Sequence, residues 1–505
     1  VDRRRRRAAP EKNNRTLNAA PDISAPKISW QRCLLLFLAV VALALPQAAM
    51  LPLIDRDEPR FAEAAREMIQ SGNYVVPTFN GAPRYDKPPL IYWCQAAAYR
   101  IFGENALAAR LPSLIATAAT AVLLYTWGTR LGSGFIGVGA GLFYALCLQT
   151  IQQGRVATAD ALLIFFMTLT AFAGWMLIRP GQLRVTPLPC HLVIAIGIAG
   201  GFLAKGPEAL LPVIPLFWFG RGARLGILLS LIAGLALMLL WGIPAYVETH
   251  GDYLWQSWKA GIADRAWGSD QGHGASSIGM YVLELPYYLL LFWVSTLPWS
   301  PLVLLQFRKL YAGWQMDFTD RYLLLNAALL FLVFTLMATK LPHYTLPAFP
   351  PLALVVLRRW KAAGLSPAVP LRLAGGIGLL FTLLTVAFVP TALERGYNPS
   401  PTAELVREAG IDLKPNTQFA LVDFKEPTTV WEMRSVTTFY GQFIAGNNYV
   451  SFLNQPGPRA VLISTDVLNH LTIRVEPSVD WKYFTARGLN AAKGKPIDLT
   501  LVVKP

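Results

Sequence analysis

Charge is what this chain has least of. Asp, Glu, Lys and Arg make up 15% of its 505 residues, where a soluble domain of that length carries about 25%. The deficit is spread along most of the chain, in repeated apolar runs of the roughly 20 residues that a bilayer crossing takes. A water-soluble globular enzyme is thereby excluded; the solvent is lipid. Cysteine is also scarce. Cys33, Cys94, Cys147 and Cys190 are scattered in or beside apolar segments, with no CxxC spacing and no histidine companions. That excludes a disulfide framework and cysteine metal ligation, and leaves four small buried hydrophobes. Low-complexity sequence is missing after residue 29, and no clear internal repeat is found, which counts against a transporter built from inverted halves. Acids are outnumbered, 30 against 45 bases, for a net charge of +15. The bases lie between apolar runs and form no contiguous patch. They mark cytoplasmic loops and meet anionic headgroups, and nucleic acid is not an expected partner.

What is present has a clear order. Residues 1–29 are polar, begin with Arg3 to Arg7, and suit a disordered cytoplasmic tail. Trp30 to Met50 follows, read as an uncleaved anchor in preference to a signal peptide. With the arginine tail inside, this span delivers residues 51–89 to the outer side. Leu90 to Phe102 is short and holds Arg100, so it is left on the outer surface. Further spans fall near 111–129, 134–152, 161–178, 188–204, 208–220, 225–245, 280–306, 322–338, 342–357 and 373–390. This count of about eleven (range 11–13) puts the turns with Arg130, Arg179, Arg221, Arg308 and Arg358 inside. The expected architecture is a polytopic α-helical membrane protein with a membrane domain over 30–390. From 391 to 505, β-type runs such as Phe419–Val422, Ala460–Ile463 and Leu499–Val502 alternate with polar helical stretches, which predicts a small periplasmic α/β domain.

The polar residues that carry chemistry gather on the outer side of this topology. The first outer loop, 51–89, sets Asp55, Asp57 and Glu58 just beyond a span, ahead of an amphipathic stretch with Glu63, Arg66 and Glu67. Asp57 suits a helix N-cap, with Glu58 and Pro59 in the first turn. Capping leaves Asp55 unexplained, and Glu63 and Glu67 repel unless Arg60 and Arg66 offset them. Downstream, Lys87 stands between Asp86 and a double proline that stiffens its backbone. Such a lysine either snorkels to headgroups or clamps a phosphate at the lipid surface. Arg155 to Asp160, Lys205 to Glu208, the loop with Lys259, Asp264, Arg265 and His273, and Lys340 to Tyr344 fall on the same side. Singly, each reads as a snorkelling base or capping acid. Together, carboxylates and cations where helices meet lipid suit a polar reaction on an amphiphilic phosphate. The histidines lack metal-ligand spacing, so no metal site is expected.

Asp57-Glu58-Pro59-Arg60-Phe61-Ala62-Glu63, followed by Arg66-Glu67-Met68 and Tyr85-Asp86-Lys87-Pro88-Pro89-Leu90, resembles the first periplasmic loop of GT-C glycosyltransferases. The nearest branch is that of the bacterial aminoarabinose-lipid A transferases and their protein O-mannosyltransferase relatives. The likeness continues through Arg110-Leu111-Pro112-Ser113, Arg155 to Asp160, Ala204 to Pro207 and Lys340 to Tyr344. It implies a GT-C fold and an inverting transfer of sugar from a polyprenyl-phosphate donor to a hydroxyl or phosphate of a cell-envelope acceptor (lipid A, glycan or protein). It further implies that Asp57, with Glu58 beside it and Asp55 as rival, is the base or acceptor-orienting acid, and that Asp160 is the second carboxylate. Lys87 meets the phosphate, and Tyr85, Arg60, Lys205, Arg265, His273, Lys340, His343 and Tyr344 complete the substrate contacts. No cofactor is obligatory, though a divalent cation is compatible with the acids. The alternative is a transporter or flippase of lipid-phosphate-linked sugars, which is expected to carry polar groups near the bilayer midplane; these spans are almost free of acids.

Overall fold

The computed structural model describes residues 27–54, 57–179, 187–264, 278–394, 397–423, 425–472, 480–490 and 495–505. The chain runs through α1 (Trp30–Met50), α2 (Glu58–Ser71), α3 (Leu90–Phe102), α4 (Ala106–Arg130), α5 (Gly134–Ala145), α6 (Leu148–Gln153), α7 (Asp160–Ile178) and α8 (Pro187–Lys205). Every one of the eleven expected apolar stretches is helical. Eight are long and apolar enough to cross a membrane: α1, α4, α7, α8, and the helices at Arg221–Glu248, Ile278–Ser295, Phe318–Leu336 and Ala368–Thr391. The protein is polytopic. On α1 only Leu36, Val40, Gln47 and Ala48 are buried, while Leu34, Leu35, Leu38 and Leu45 face outward. An exposed aliphatic face on a long helix is a lipid face.

The other three stretches are broken, mostly by proline, as is the one expected at 280–306, which divides into Ile278–Glu284, Tyr287–Ser295 and Trp299–Leu305 at Pro286 and Pro298. Residues 207–219 form a 3-10 turn, Pro207–Leu210, before Val213–Phe219; Pro207, Pro212 and Pro215 each remove a backbone donor. Residues 342–362 split into the 3-10 segment Pro342–Ala348 and the helix Phe349–Ala362, with prolines at 342, 347, 350 and 351. Between α5 and α6, Cys147 turns extended. The α4–α5 hairpin is packed backbone to backbone. A methyl group on Gly137 would stand 2.3 Å from the Tyr125 carbonyl oxygen, so only glycine permits that approach.

The short helices α2 and α3 lie outside this set. The 13 residues of α3 are too few to span. The 14 of α2 are amphipathic and bury every residue from Phe61 to Met68. A two-stranded ribbon, β1 (Thr78–Phe79) and β2 (Ala82–Pro83), follows α2.

The C-terminal part forms a mixed five-stranded sheet from β3 (Gln418–Val422), β4 (Gln442–Ile444), β5 (Arg459–Ser464), β6 (Lys482–Asn490) and β7 (Lys495–Lys504), in the order β4-β3-β5-β7-β6. β3 pairs in parallel with β4 and β5, and β7 is antiparallel to β5 and β6. The three apolar runs marked in the sequence are its central strands. They are buried on both faces: Phe419 and Leu421 face one core, Ala420 and Val422 the other. Continuous rather than alternating hydrophobicity follows from that.

This domain is seated on α2 by buried charge. Arg66 donates to Glu63 at 2.6 Å, to Glu104 at 2.9 Å and to the Trp431 carbonyl at 3.0 Å, with its guanidinium 3.7 Å over the Trp431 ring. Arg434 reaches Glu63 at 3.1 Å and also holds Gln70. Arg66 thus offsets Glu63, as expected, but Arg434 shares the task. Glu67 is satisfied separately, by Thr78 and the backbone N–H groups of Asn80 and Gly81. Removing one member of a buried ion network costs about 3–5 kcal/mol, because its partner is left charged and unpaired. Arg66→Ala is therefore expected to loosen the domain, read as faster limited proteolysis between residues 395 and 505 in the membrane-embedded protein.

Candidate functional site

A cavity of about 460 Å³ opens where α2, the loop before α3, the α6–α7 turn, the end of α8 and the segment Leu341–Tyr344 converge. Its walls carry Asp57, Glu58, Asp86, Lys87, Arg155, Asp160, Lys205, His343 and Tyr344. Seven residues given roles by the resemblance (Asp57, Glu58, Lys87, Asp160, Lys205, His343 and Tyr344) are thus brought together from five separate segments.

Asp57 occupies the N-cap position of α2 but does not cap it. Its backbone is α-helical (φ −90°, ψ −47°) and its side chain bonds no helix N–H. Capping requires an extended residue that folds its side chain back over the first turn; the expectation that Asp57 serves as a cap is corrected. Its carboxylate instead stands at the cavity, 54% exposed, with the Arg60 guanidinium 4.0 Å away.

Glu58, the next residue, has the opposite environment. Arg110 donates to both of its oxygens at 2.7 Å, and the backbone N–H groups of Ile54 and Ala157 add one bond each at 2.8 Å. Arg110 spends its remaining donors on the carbonyls of Ala48, Leu51 and Pro52. All four lone-pair positions of the carboxylate are filled. Glu58 therefore ties together the end of α1, the start of α2, α4 and the turn before α7. The sequence carried a signal for this partner: an arginine at the head of an apolar run, where a charge is expensive unless paired.

Asp160 begins α7 and faces the cavity from the opposite wall. Lys205, at the end of α8, donates to Oδ1 at 2.7 Å, and Thr158 and Gln153 donate to Oδ2 at 3.0 and 3.1 Å. Glu208 lies 3.7 Å from the same lysine. His343 Nε2 is 4.0 Å from Asp160 Oδ1, and the Tyr344 ring is 5.1 Å from the Lys205 ammonium. Neither Thr158 nor Gln153 stood out in the sequence; both are neutral residues in an unremarkable turn.

Lys87 is held beside the cavity by Asp86, 2.6 Å from its ammonium; Arg84 grips the other oxygen of Asp86 at 2.8 Å. Tyr85 and Arg60 fall in an adjoining groove of about 490 Å³, between the first loop and the C-terminal domain, which Asp86 also lines. The Tyr85 ring packs edge-on to Tyr253, with centroids 5.2 Å apart. Lys340 is not in the cavity wall. Its ammonium turns to the carbonyls of Phe334, Thr335 and Met337 at the end of the helix Phe318–Leu336, where a cation meets the negative end of the helix dipole. Arg265, His273 and Asp55 lie outside the described residues. Among the described residues no three His, Cys, Asp or Glu side chains group as metal ligands.

Set against known proteins, residues 86–245 match the family model described as dolichyl-phosphate-mannose-protein mannosyltransferase. The crystal structure of ArnT from Cupriavidus metallidurans bound to undecaprenyl phosphate superposes with a TM-score of 0.69 at 16% identity, over 94% of this chain and 99% of that one. This chain has the GT-C glycosyltransferase fold. Its sequence resembles the aminoarabinose-lipid A transferases as well. The undecaprenyl phosphate-alpha-4-amino-4-deoxy-L-arabinose arabinosyl transferase of Edwardsiella ictaluri is 28% identical over 342 residues, 65% of this chain and 59% of that protein. A second, from Sodalis glossinidius, is 30% identical over 67% of this chain and 60% of its own length. The match thus spans about three-fifths of these curated relatives.

Proposed function

We propose that the chain is an inverting membrane glycosyltransferase that moves a sugar from a polyprenyl-phosphate donor to a hydroxyl or phosphate of a cell-envelope acceptor. The reaction takes place on the periplasmic face of the inner membrane. The observation that carries this reading is the contrast between two adjacent acids: Glu58 is saturated by Arg110 and backbone donors, while Asp57 is left uncapped at the cavity. One builds the site, and the other is available for chemistry. In this role Asp57 takes the proton from an acceptor hydroxyl, or orients an acceptor already ionised, as the acceptor oxygen attacks the anomeric carbon. The bond from that carbon to the phosphate oxygen breaks with its electron pair on the phosphate. Attack and departure on opposite faces invert the centre. Lys87, held by Asp86, meets the charge that develops on the leaving phosphate. Asp160, fixed by Lys205, Thr158 and Gln153, is a rigid acceptor for sugar or acceptor hydroxyls rather than the base. Glu58 is a positioning residue.

The relatives' names support an undecaprenyl-phosphate donor and an aminoarabinose cargo. The test is to reconstitute the protein in lipid vesicles with a panel of polyprenyl-phosphate sugars and lipid A, and to measure free polyprenyl phosphate. Release establishes the transfer. Donors that cross the bilayer unconsumed would replace it with the flippase reading. No divalent cation enters this mechanism, because lysines already pair the carboxylates at Asp86 and Asp160. Turnover is therefore expected to persist within about twofold in excess EDTA, since no metal–ligand free energy is at stake; a collapse restored by Mg²⁺ or Mn²⁺ would assign a metal to the acids.

A further inference from the structure

Arg155 stands out from the other cations around the cavity. Lys87 lies 2.6 Å from Asp86, Lys205 2.7 Å from Asp160, and Arg110 donates all five of its N–H groups. Arg155 Nε is buried without a hydrogen-bond partner, and no ion pair to this guanidinium forms among the described residues. The carboxylate that faces it, Glu58, has no lone pair to spare. Burial pulls the Arg155 guanidinium below its ordinary range, the Arg110 charge adds to that, and Glu58 opposes it. A buried donor left unsatisfied is costly, more so when charged, and native proteins keep such groups chiefly where something else completes them.

Its position indicates what would complete it. Arg155 lines the polar cavity on one side and, on the other, a narrow apolar cleft formed by Val40, Leu114, Leu146 and Phe381 from three long helices and the α5–α6 junction. A guanidinium at a boundary between polar cavity and apolar cleft sits where the head of an amphiphile lies. Its planar fork matches two oxygens of one phosphate.

We propose that Arg155 is a substrate-binding residue that takes a phosphate group of a lipid substrate in two hydrogen bonds. This deepens the functional reading above and rests on it. Lys87 supplies a point charge already shared with Asp86, whereas Arg155 supplies a full charge and a fork with fixed geometry. The phosphate belongs either to the polyprenyl donor or to a phosphorylated acceptor, and the two are separable.

The full chain in nanodiscs, as wild type, Arg155→Gln, Arg155→Met and Arg155→Lys, is titrated with undecaprenyl phosphate and, separately, with lipid A. The variants are expected to fold, and without ligand Arg155→Met is expected to melt at or above the wild-type temperature, since an unpaired buried cation is removed. Loss of a charge-assisted pair is expected to weaken one ligand about 10- to 100-fold in Arg155→Gln and Arg155→Met, with Arg155→Lys recovering only part. Weakened undecaprenyl phosphate with unchanged lipid A assigns the donor phosphate; the reverse assigns the acceptor phosphate. Wild-type affinity for both ligands in folded Arg155→Gln would overturn the proposal, as would a lower ligand-free melting temperature in both Gln and Met variants, which marks a structural role. Wild type that binds neither ligand would overturn the functional reading together with the proposal.

Discussion

Asp57→Asn is expected to abolish polyprenyl-phosphate release, by about 10²- to 10⁴-fold, the range general-base removal commonly produces, while leaving the protein as stable as wild type. The second half of that expectation is what gives the first its meaning. Asp57 makes no cap bond, is half exposed, and stands 4.0 Å from its nearest ion-pair partner, Arg60. Among the described residues its charge is held by no contact closer than Arg60, so the amide should change stability by no more than about 0.5 kcal/mol. Initial rates in vesicles and thermal melts in the same lipid give both numbers from one preparation. Retention of more than a tenth of the wild-type rate would move the base to another acid, Asp55 first. With an acceptor that reacts through an already ionised phosphate, the loss should shrink, because no proton then has to be removed.

The mirror experiment is at Glu58. Glu58→Ala is expected to cost about 3–5 kcal/mol, because Arg110, fully buried, keeps its charge and loses both carboxylate bonds. Arg110→Met alone should be equally harmful, leaving the carboxylate to two backbone donors. The double variant Glu58→Gln with Arg110→Met removes both charges, and Glu58→Gln alone, which leaves Arg110 facing no opposite charge, closes the cycle. The double variant is expected to regain a good part of the loss, since replacing a buried pair as a whole is often close to neutral. A coupling of several kcal/mol in this cycle, read from melting of the reconstituted proteins, identifies Glu58 as a tie. Additive losses would show the two to be independent. Activity in the double variant should fall even if stability returns, because the Ala157 turn that precedes Asp160 loses a charged anchor.

Why Asp57 and Asp160 could be given roles from the sequence, while Arg110 and Arg155 stood there without partners and Arg434 did not stand out, is a matter of range. Long apolar runs report the membrane helices directly, since each needs only its own residues to satisfy its backbone. The central strands of the C-terminal sheet are equally local signals. The first loop and Lys87 were recognisable because their residues are contiguous. The bonds that finish the site join Glu58 to residues 52 and 99 positions away, and Glu63 to one 371 positions away. No periodicity carries such information. Lys340 shows the converse: the resemblance makes it a substrate contact, yet the helix ending just before it presents carbonyls that its ammonium meets. Pro207 marks a break in the sequence, but the spans expected at 208–220 and 342–357 follow hydropathy straight through the prolines at 212, 215, 347, 350 and 351.

The seat of the C-terminal domain on α2 sets an order of events in the making of this protein. The helix that begins at Asp57 and Glu58 emerges from the ribosome more than 360 residues ahead of Trp431 and Arg434, which hold its far end. Until those two arrive, Glu63 lacks one of its two guanidinium partners and Arg66 lacks the ring it stacks on. A nascent chain threaded through the membrane is thus an unfinished tool. Its first acids are present early, and the residues that steady their helix come much later.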